Sequence, residues 1–302
     1  MELLTPVSIR ALMAQHGIDP KRSLGQNFLA DPNTARRIAT LAAISPGDSV
    51  LEIGPGLGSL TLALLERGVR VRALELDRKL AAALAEVVGA DADVDIRVGD
   101  ALRVPLVELL ARDFDVVGDT AHDTGDVPDK SPAHAPAGWT CVSNLPYNIA
   151  VPVVIRLLEE ACEVERIVVL VQREVGERMA ASPGDDQYGA VSVKVAYYSE
   201  ASLLGVVPPT VFMPRPKVES VLVDLVRRPA PPVDVPSTDD LFGLVRSGFG
   251  QRRKMLRRSL APVLGDRTVD VLECAGVAPT ARAETLGLEE WAAVARCAAV
   301  AA

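Results

Sequence analysis

Histidine, cysteine and aromatic residues are all scarce in this chain of 302 residues, with three His, four Cys and 4% aromatics. So few histidines argue against a His-rich metal site. Cys141, Cys162, Cys274 and Cys297 stand singly, with no CxxC or Cys/His spacing. No metal is therefore expected, and the cysteines read as reduced thiols in a reducing compartment. No apolar run approaches the roughly 20 residues that cross a bilayer. Met1–Pro20 mixes Gln15, His16 and Asp19 with its apolar residues and shows no signal-peptide pattern. A cytoplasmic location without membrane association is the expectation. Monomer is the default oligomeric state, and no internal repeat is seen.

What is present is a well-filled globular chain, 49% hydrophobic with a net charge of −8. The charge is uneven. Residues 1–199 hold 19 basic and 28 acidic side chains, whereas residues 200–302 hold 13 and 12. A net negative protein can still bind RNA through a local basic patch, because counterion release depends on the phosphates contacted.

From Ser49 onward strand and helix patterns alternate. Strands are expected at Ser49–Ile53, Val69–Leu74, Val94–Val98, Phe114–Val117, Thr140–Ser143 and Arg166–Val171. Helices are expected at Ser59–Glu66, Lys79–Val88 and Val153–Leu158. This order predicts a parallel sheet covered by helices on both faces. Asp31-Pro32 reads as an N-cap with proline in the first helical position. Val191–Tyr198 and Ser220–Val226 read as a later strand pair. Gly118–Gly138, dense in Asp, Pro, Ala, Gly and Thr, reads as a flexible surface insertion. Arg227–Pro236 carries four prolines and reads as a stiff linker. Helices are expected beyond it at Thr238–Phe249, Lys254–Val263, Asp266–Ala275 and Leu288–Ala301. The expected domains are residues 1–228 and an all-helical 229–302.

Two motifs carry the chemistry. Leu51-Glu52-Ile53-Gly54-Pro55-Gly56-Leu57-Gly58 runs a strand into a glycine turn. Glycine is needed where backbone approaches a ligand closely or turns with positive φ. Roughly 20 residues on, Glu75 ends the next strand, where an acid accepts hydrogen bonds from a ribose diol. Asp100 ends the third strand, suitably placed for an adenine amino group. Asn144-Leu145-Pro146-Tyr147 is the second motif. An exocyclic base amine is a poor nucleophile because its lone pair is delocalised into the ring. Acceptors on its N–H groups, here the Asn144 side-chain oxygen and the Leu145 carbonyl, favour a pyramidal nitrogen. Pro146 fixes the backbone, and Tyr147 offers a face for an extruded base. Together the motifs suggest methyl transfer from S-adenosylmethionine to a base nitrogen.

These residues resemble the ribosomal RNA adenine N6,N6-dimethyltransferase family, in its bacterial small-subunit branch, over nearly the whole chain. Gly25–Leu29 with Asp31 is similar to its N-terminal cofactor motif, Leu51–Gly56 to its glycine motif and Glu75-Leu76-Asp77 to its ribose motif. Gly99-Asp100-Ala101 is similar to its adenine motif and Asn144–Asn148 to its catalytic motif. Val207–Ser220 and Gly250–Lys254 match two further signatures. The resemblance implies a Rossmann-like S-adenosylmethionine-dependent methyltransferase domain followed by a small helical RNA- and ribosome-binding domain. It implies cofactor contacts by Gln26, Asn27, Leu29, Gly54, Gly56, Glu75, Leu76, Asp100, Ala101 and Asn144. Phe212 would sandwich the target base against Tyr147, and its place in a proline-rich loop makes exposure the expectation. The implied substrate is 16S rRNA in the small ribosomal subunit, at two adjacent adenosines near its 3′ end, modified late in ribosome biogenesis. Two departures stand out: the long insertion, and Ala150 where a serine is common.

Arg252, Arg253, Lys254, Arg257 and Arg258 place five cations in seven residues. On one helix, Arg253/Arg257 and Lys254/Arg258 would share faces, a repulsive arrangement that phosphates relieve. Lys21-Arg22, and Arg215 with Lys217, extend this expected RNA track. Three rivals are a large-subunit rRNA adenine methyltransferase, a DNA adenine methyltransferase, which more typically carries a doubled proline, and a mainly non-catalytic ribosome-assembly factor.

Overall fold

The structure, a computed structural model, describes residues 2–20, 25–90, 93–111 and 138–300. Lys21, Arg22, the strand expected at Phe114–Val117 and all of the expected insertion except Gly138 lie outside the described residues.

The chain divides into two compact units, one of residues 1–171 with 206–222 and one of 172–205 with 223–302. The first opens with α1 (Pro6–Gln15), β1 (Phe28–Leu29) and α2 (Pro32–Leu41). Asp31 caps α2 by accepting the Thr34 N–H, with Pro32 in the first turn. Then follow β2 (Ser49–Ile53), α3 (Ser59–Leu65), β3 (Arg70–Glu75), α4 (Arg78–Val88), β4 (Val94–Val98), α5 (Leu106–Ala111), β5 (Trp139–Asn144), α6 (Ala150–Glu160) and β6 (Val164–Gln172).

Strands β2 to β6 pair in parallel in the order β4-β3-β2-β5-β6. Parallel strands need helical crossovers and are buried on both faces. Accordingly every residue of β2 is buried. The chain steps outward from β2 through β3 and β4, then returns to the other side of β2 at β5. Strand order thus reverses between β2 and β5, the switch point at which open α/β sheets bind ligands. Gly54 and Asn144 stand at the carboxyl ends of those two strands. Residues Ser220–Leu222 of β9 (Ser220–Arg227) and Val206–Val207 of β7 (Ser199–Val207) also belong to this unit. A two-residue ladder joins β1 to β8 (Phe212–Met213), setting Leu29 opposite Phe212.

The second unit holds α7 (Arg173–Ala180), α8 (Ala190–Tyr198), α9 (Thr238–Gly250), α10 (Leu256–Ser259), α11 (Ala261–Leu264), α12 (Thr268–Cys274) and α13 (Leu288–Val300). Its core joins Tyr188, Val193 and Tyr197 to Leu241, Phe242, Leu256, Leu272 and Trp291. This packing explains why residues 172–205 group with the later helices, a division that differs from the 228/229 boundary read from the linker.

Three sequence expectations are corrected. Val191–Tyr198 is helical rather than a strand. Its alternating valines imitate a strand. However, the Gly189 N–H donates to Ser192 Oγ at 3.0 Å, starting a helix that buries Val193, Val195 and Tyr197. The single helix expected over Lys254–Val263 is broken into α10 and α11. Pro262 cannot donate an intrahelical bond, and Met255 is extended at ψ 150°. The Leu256 and Arg257 N–H groups donate instead to the carbonyls of Ala281 and Pro279. Finally, Cys274 and Cys297 are joined in a disulfide across 23 residues of sequence. Neighbouring helices α12 and α13 bring together thiols that spacing alone had read as single. Cys141 and Cys162 are free.

Candidate active site

A cavity of about 220 Å³ opens at the switch point of the first unit. Its walls are the segment Gly25–Leu29, the glycine turn, the ends of β3 and β4, and the turn Asn144–Ile149. Nine of the predicted cofactor residues line it together: Gln26, Asn27, Leu29, Gly54, Gly56, Glu75, Leu76, Asp100 and Ala101. Asn144, Leu145, Pro146 and Tyr147 line it too.

The glycine turn forms because β2 must give way abruptly to α3. Gly54, Gly56 and Gly58 all have positive φ, at 69°, 60° and 93°, a region that side chains disfavour. Space makes a second demand. A Cβ at Gly56 would lie 2.9 Å from the Phe28 ring, and one at Gly54 would lie 3.3 Å from Pro146. The glycine turn, the N-terminal segment and the Asn-Leu-Pro-Tyr turn are therefore packed to backbone contact.

Glu75 is buried, and its two oxygens accept the N–H groups of Gly56 at 3.1 Å and Asp77 at 3.0 Å. Burial raises its pKa, while the backbone N–H groups of Asp77, Gly56 and Leu76 oppose the rise. Each oxygen retains lone-pair capacity for a further donor, which fits a ribose diol. Asp100 Oδ1 accepts the Leu102 N–H at 2.9 Å, and Oδ2 lies 3.5 Å from Arg103 Nε. This half-buried carboxylate stands at the end of β4, a position that fits a nucleobase amine.

The Asn144 amide is oriented by its neighbour in space, since Nδ2 donates to the Asn27 carbonyl at 3.0 Å. With the NH₂ group so engaged, the side-chain oxygen is the end left to accept from a ligand. The Tyr147 hydroxyl bonds Ser220 Oγ at 2.7 Å, which fixes the ring. Burial raises the pKa of this phenol and the Ser220 bond opposes the rise.

Phe212 departs from expectation. It is 4% exposed and paired into the β1–β8 ladder opposite Leu29. Its proline-rich surroundings suggested an exposed ring; the short ladder buries it. The predicted RNA residues Arg215 and Lys217 are exposed in the first unit, and Arg252, Arg253, Lys254, Arg257 and Arg258 in the second. The expected i,i+4 faces among the last five do not exist, because residues 251–255 form a turn. Arg252 is committed internally, with Nε 3.1 Å from Glu284 and Nη2 donating to the Asp186 carbonyl at 2.6 Å.

Sequence reasoning missed two polar residues of the cavity. Glu52, 1% exposed, takes a hydrogen bond from Thr61 Oγ1 at 2.7 Å. Burial pushes its carboxyl up to about 8, the Thr61 bond pulls down and the Glu75 charge pushes up. Ser59 Oγ is buried in the same wall without a hydrogen-bond partner among the described residues. Glu52 was visible within the glycine motif, but an acid inside a strand gives no local sign that it is buried. Among the described residues no group of three or more His, Cys, Asp or Glu is placed to hold a metal. No described helix is long and apolar enough to cross a membrane.

Sheet order and site together define a Rossmann-like methyltransferase domain. The chain belongs to the ribosomal RNA adenine dimethylase family, whose model matches residues 18–299. It is 46% identical over 295 residues to ribosomal RNA small subunit methyltransferase A of Thermobifida fusca (strain YX), covering 97% of this chain and 95% of that protein. The protein of the same name from Moorella thermoacetica (strain ATCC 39073 / JCM 9320) is 42% identical, covering 97% of each. Among solved structures, the 23S rRNA methyltransferase ErmE superposes with a TM-score of 0.62 at 26% identity, covering 90% of this chain and 99% of that one. A dimethyladenosine transferase from Plasmodium falciparum gives a TM-score of 0.67 at 23% identity, covering 88% and 95%.

Proposed function

We propose that this protein transfers methyl groups from S-adenosylmethionine to N6 of two adjacent adenosines near the 3′ end of small-subunit rRNA, giving N6,N6-dimethyladenosine. The observation that carries the reading is the Asn144 amide, held by the Asn27 carbonyl at the rim of a cavity that also presents Glu75 and Asp100. The full-length likeness to two small subunit methyltransferases at 42% identity or more favours the small-subunit substrate over the large-subunit one.

The residues fit the cofactor in chemistry. Glu75 would accept from the ribose hydroxyls and Asp100 from the adenine amine, and the glycine turn admits the chain between them. Bound there, the cofactor supplies an electrophilic methyl group on a sulfonium. The protein's part is positioning and preorganised electrostatics. Asn144 Oδ1 and the Leu145 carbonyl accept from the target amine, localising its lone pair toward the methyl group. The methylated nitrogen then loses a proton to water, so no strong base is needed. Tyr147 offers a stacking face, worth about 1–3 kcal/mol against a base-extrusion cost of a few kcal/mol. Phe212 supports this wall as part of the β1–β8 ladder. Arg253, Lys254, Arg257 and Arg258 of the second unit, with Arg215 and Lys217 of the first, would meet rRNA phosphates. The protein acts as a cytoplasmic monomer on the nearly mature small subunit.

The test is methyl transfer from labelled S-adenosylmethionine to small ribosomal subunits lacking the modification, with nucleoside analysis. The expected product is N6,N6-dimethyladenosine in 16S rRNA. Label on 23S rRNA or DNA instead would overturn the substrate. No transfer to any nucleic acid would overturn the enzymatic reading and favour an assembly factor.

A further inference from the structure

A side chain outside the cavity holds one wall of it. Arg156 lies on α6, the helix that follows the Asn144–Tyr147 turn, with its side chain 15% exposed. Its Nη1 donates to the Ala101 carbonyl at 2.7 Å and its Nη2 to the Val104 carbonyl at 2.6 Å. Its Nε donates to Glu160 Oε2 at 2.9 Å, which fixes the plane of the guanidinium. One planar group thus grips both ends of the turn after β4 while anchored to its own helix.

That turn shapes the acid at its start. The Arg103 and Val104 N–H groups donate to the Asp100 carbonyl, and the Leu102 N–H donates to Asp100 Oδ1. Asp100, Ala101 and Leu102 all line the cavity, whereas Arg156 is placed behind them. The direction of the Asp100 carboxylate therefore depends on a turn whose carbonyls are held by Arg156. Without the guanidinium, those carbonyls would lose charge-assisted bonds, among the stronger kinds in a protein.

We infer that Arg156 is a positioning residue that sets nucleobase selectivity in the cofactor pocket by clamping the Asp100–Val104 turn to α6. The inference rests on the cofactor reading above and deepens it. Arg156 touches no ligand; it acts through Asp100. It also ties the wall that would receive the adenine to the helix that continues the Asn144–Tyr147 turn, so one side chain aligns both ends of the site.

The test compares two probes by calorimetry on the full chain: S-adenosylhomocysteine and S-inosylhomocysteine, whose base carries an oxygen in place of the exocyclic amine. The wild type should prefer the adenine form by about tenfold, the scale of one well-placed hydrogen bond. Arg156→Gln should weaken S-adenosylhomocysteine by about tenfold and leave S-inosylhomocysteine within about twofold, so that the preference collapses. Arg156→Lys keeps a cation that can reach one carbonyl, and should show an intermediate preference. That variant carries the test if the glutamine variant fails to fold. An unchanged preference in either folded variant, including equal weakening of both ligands, would overturn the inference and leave Arg156 a support of the fold. Failure of the wild type to bind either probe would overturn the cofactor reading itself, a different result.

Discussion

The two units use the same scarce resource in different ways. Of the ten aromatic side chains in the described residues, Tyr188, Tyr197, Tyr198, Phe242, Phe249 and Trp291 lie in the second unit. There they pack on one another: Tyr197 sits edge-on to Phe242 at 5.5 Å, and Phe249 meets Trp291 at 6.0 Å. The first unit fills its core with Val, Leu, Ile and Ala, and places Phe28 and Tyr147 at the cavity. A parallel sheet buried on both faces is served by branched aliphatic side chains. Short helices packed on one another need large side chains to fill the space between them. Aromatic residues therefore hold the second unit together, whereas in the first Phe28 and Tyr147 line the cavity and Trp139, at the start of β5, lies under the Arg72 guanidinium.

The comparison can be tested by breaking each unit separately. Trp291 is fully buried, and Gly248 gives way to it so closely that a Cβ there would lie 2.5 Å from the indole. Trp291→Ala should cost about 3–5 kcal/mol in denaturant unfolding of the second unit, with S-adenosylhomocysteine affinity retained by the first. Loss of both together would mean that the units do not unfold independently.

Asn144→Ala is the counterpart in the first unit. Methyl transfer to small subunits should fall by about 10²–10³-fold, the scale for removing one preorganised polar contact at a reacting centre. The melting temperature should move little, because the side chain is only partly buried. Activity within tenfold of wild type would remove Asn144 from the chemistry.

Reduction of the Cys274–Cys297 bridge sharpens the same contrast. It frees a 23-residue loop in the unfolded chain, worth about 3 kcal/mol on loop-closure entropy. Unfolding with and without reductant should show that loss in the second unit and leave ligand binding by the first unchanged.

An effect of similar size concerns Glu52. Its folded carboxyl is raised to about 8 from 4.5, so between those values the folded chain holds a proton that the unfolded chain has released. Stability should therefore fall as pH rises through that window, by up to about 1.4 kcal/mol per pH unit. Glu52→Gln should abolish this slope. Unfolding curves of both proteins at pH 5.5 and 8 measure it, and parallel behaviour would show that the carboxyl titrates normally.

Much of the site could be read before the fold was known, because its signals are local. Positive φ demands glycine at Gly54 and Gly56, and a proline after an aspartate starts α2 at Asp31-Pro32. An acid at the end of a strand faces the ligand edge of a parallel sheet, as Glu75 and Asp100 do. The Asn144–Tyr147 turn is likewise a four-residue signal. Each depends on chemistry within a few residues, so sequence alone determined the order of β2 to β4, the glycine turn and the wall opposite it.

Tertiary structure decided whatever depends on partners far along the chain. Val191–Tyr198 became a helix because Val193 and Tyr197 joined a core with Leu241 and Trp291, and packing overrides local propensity. Phe212 was buried by pairing with β1, residues 172–205 joined the later helices, and Cys274 met Cys297 only because α12 and α13 lie side by side. Burial raised the pKa of the Glu52 carboxyl, and Arg156 found carbonyls some 50 residues upstream. Burial and long-range hydrogen bonding arise from chain closure, and nothing in the neighbouring residues encodes which distant groups will meet.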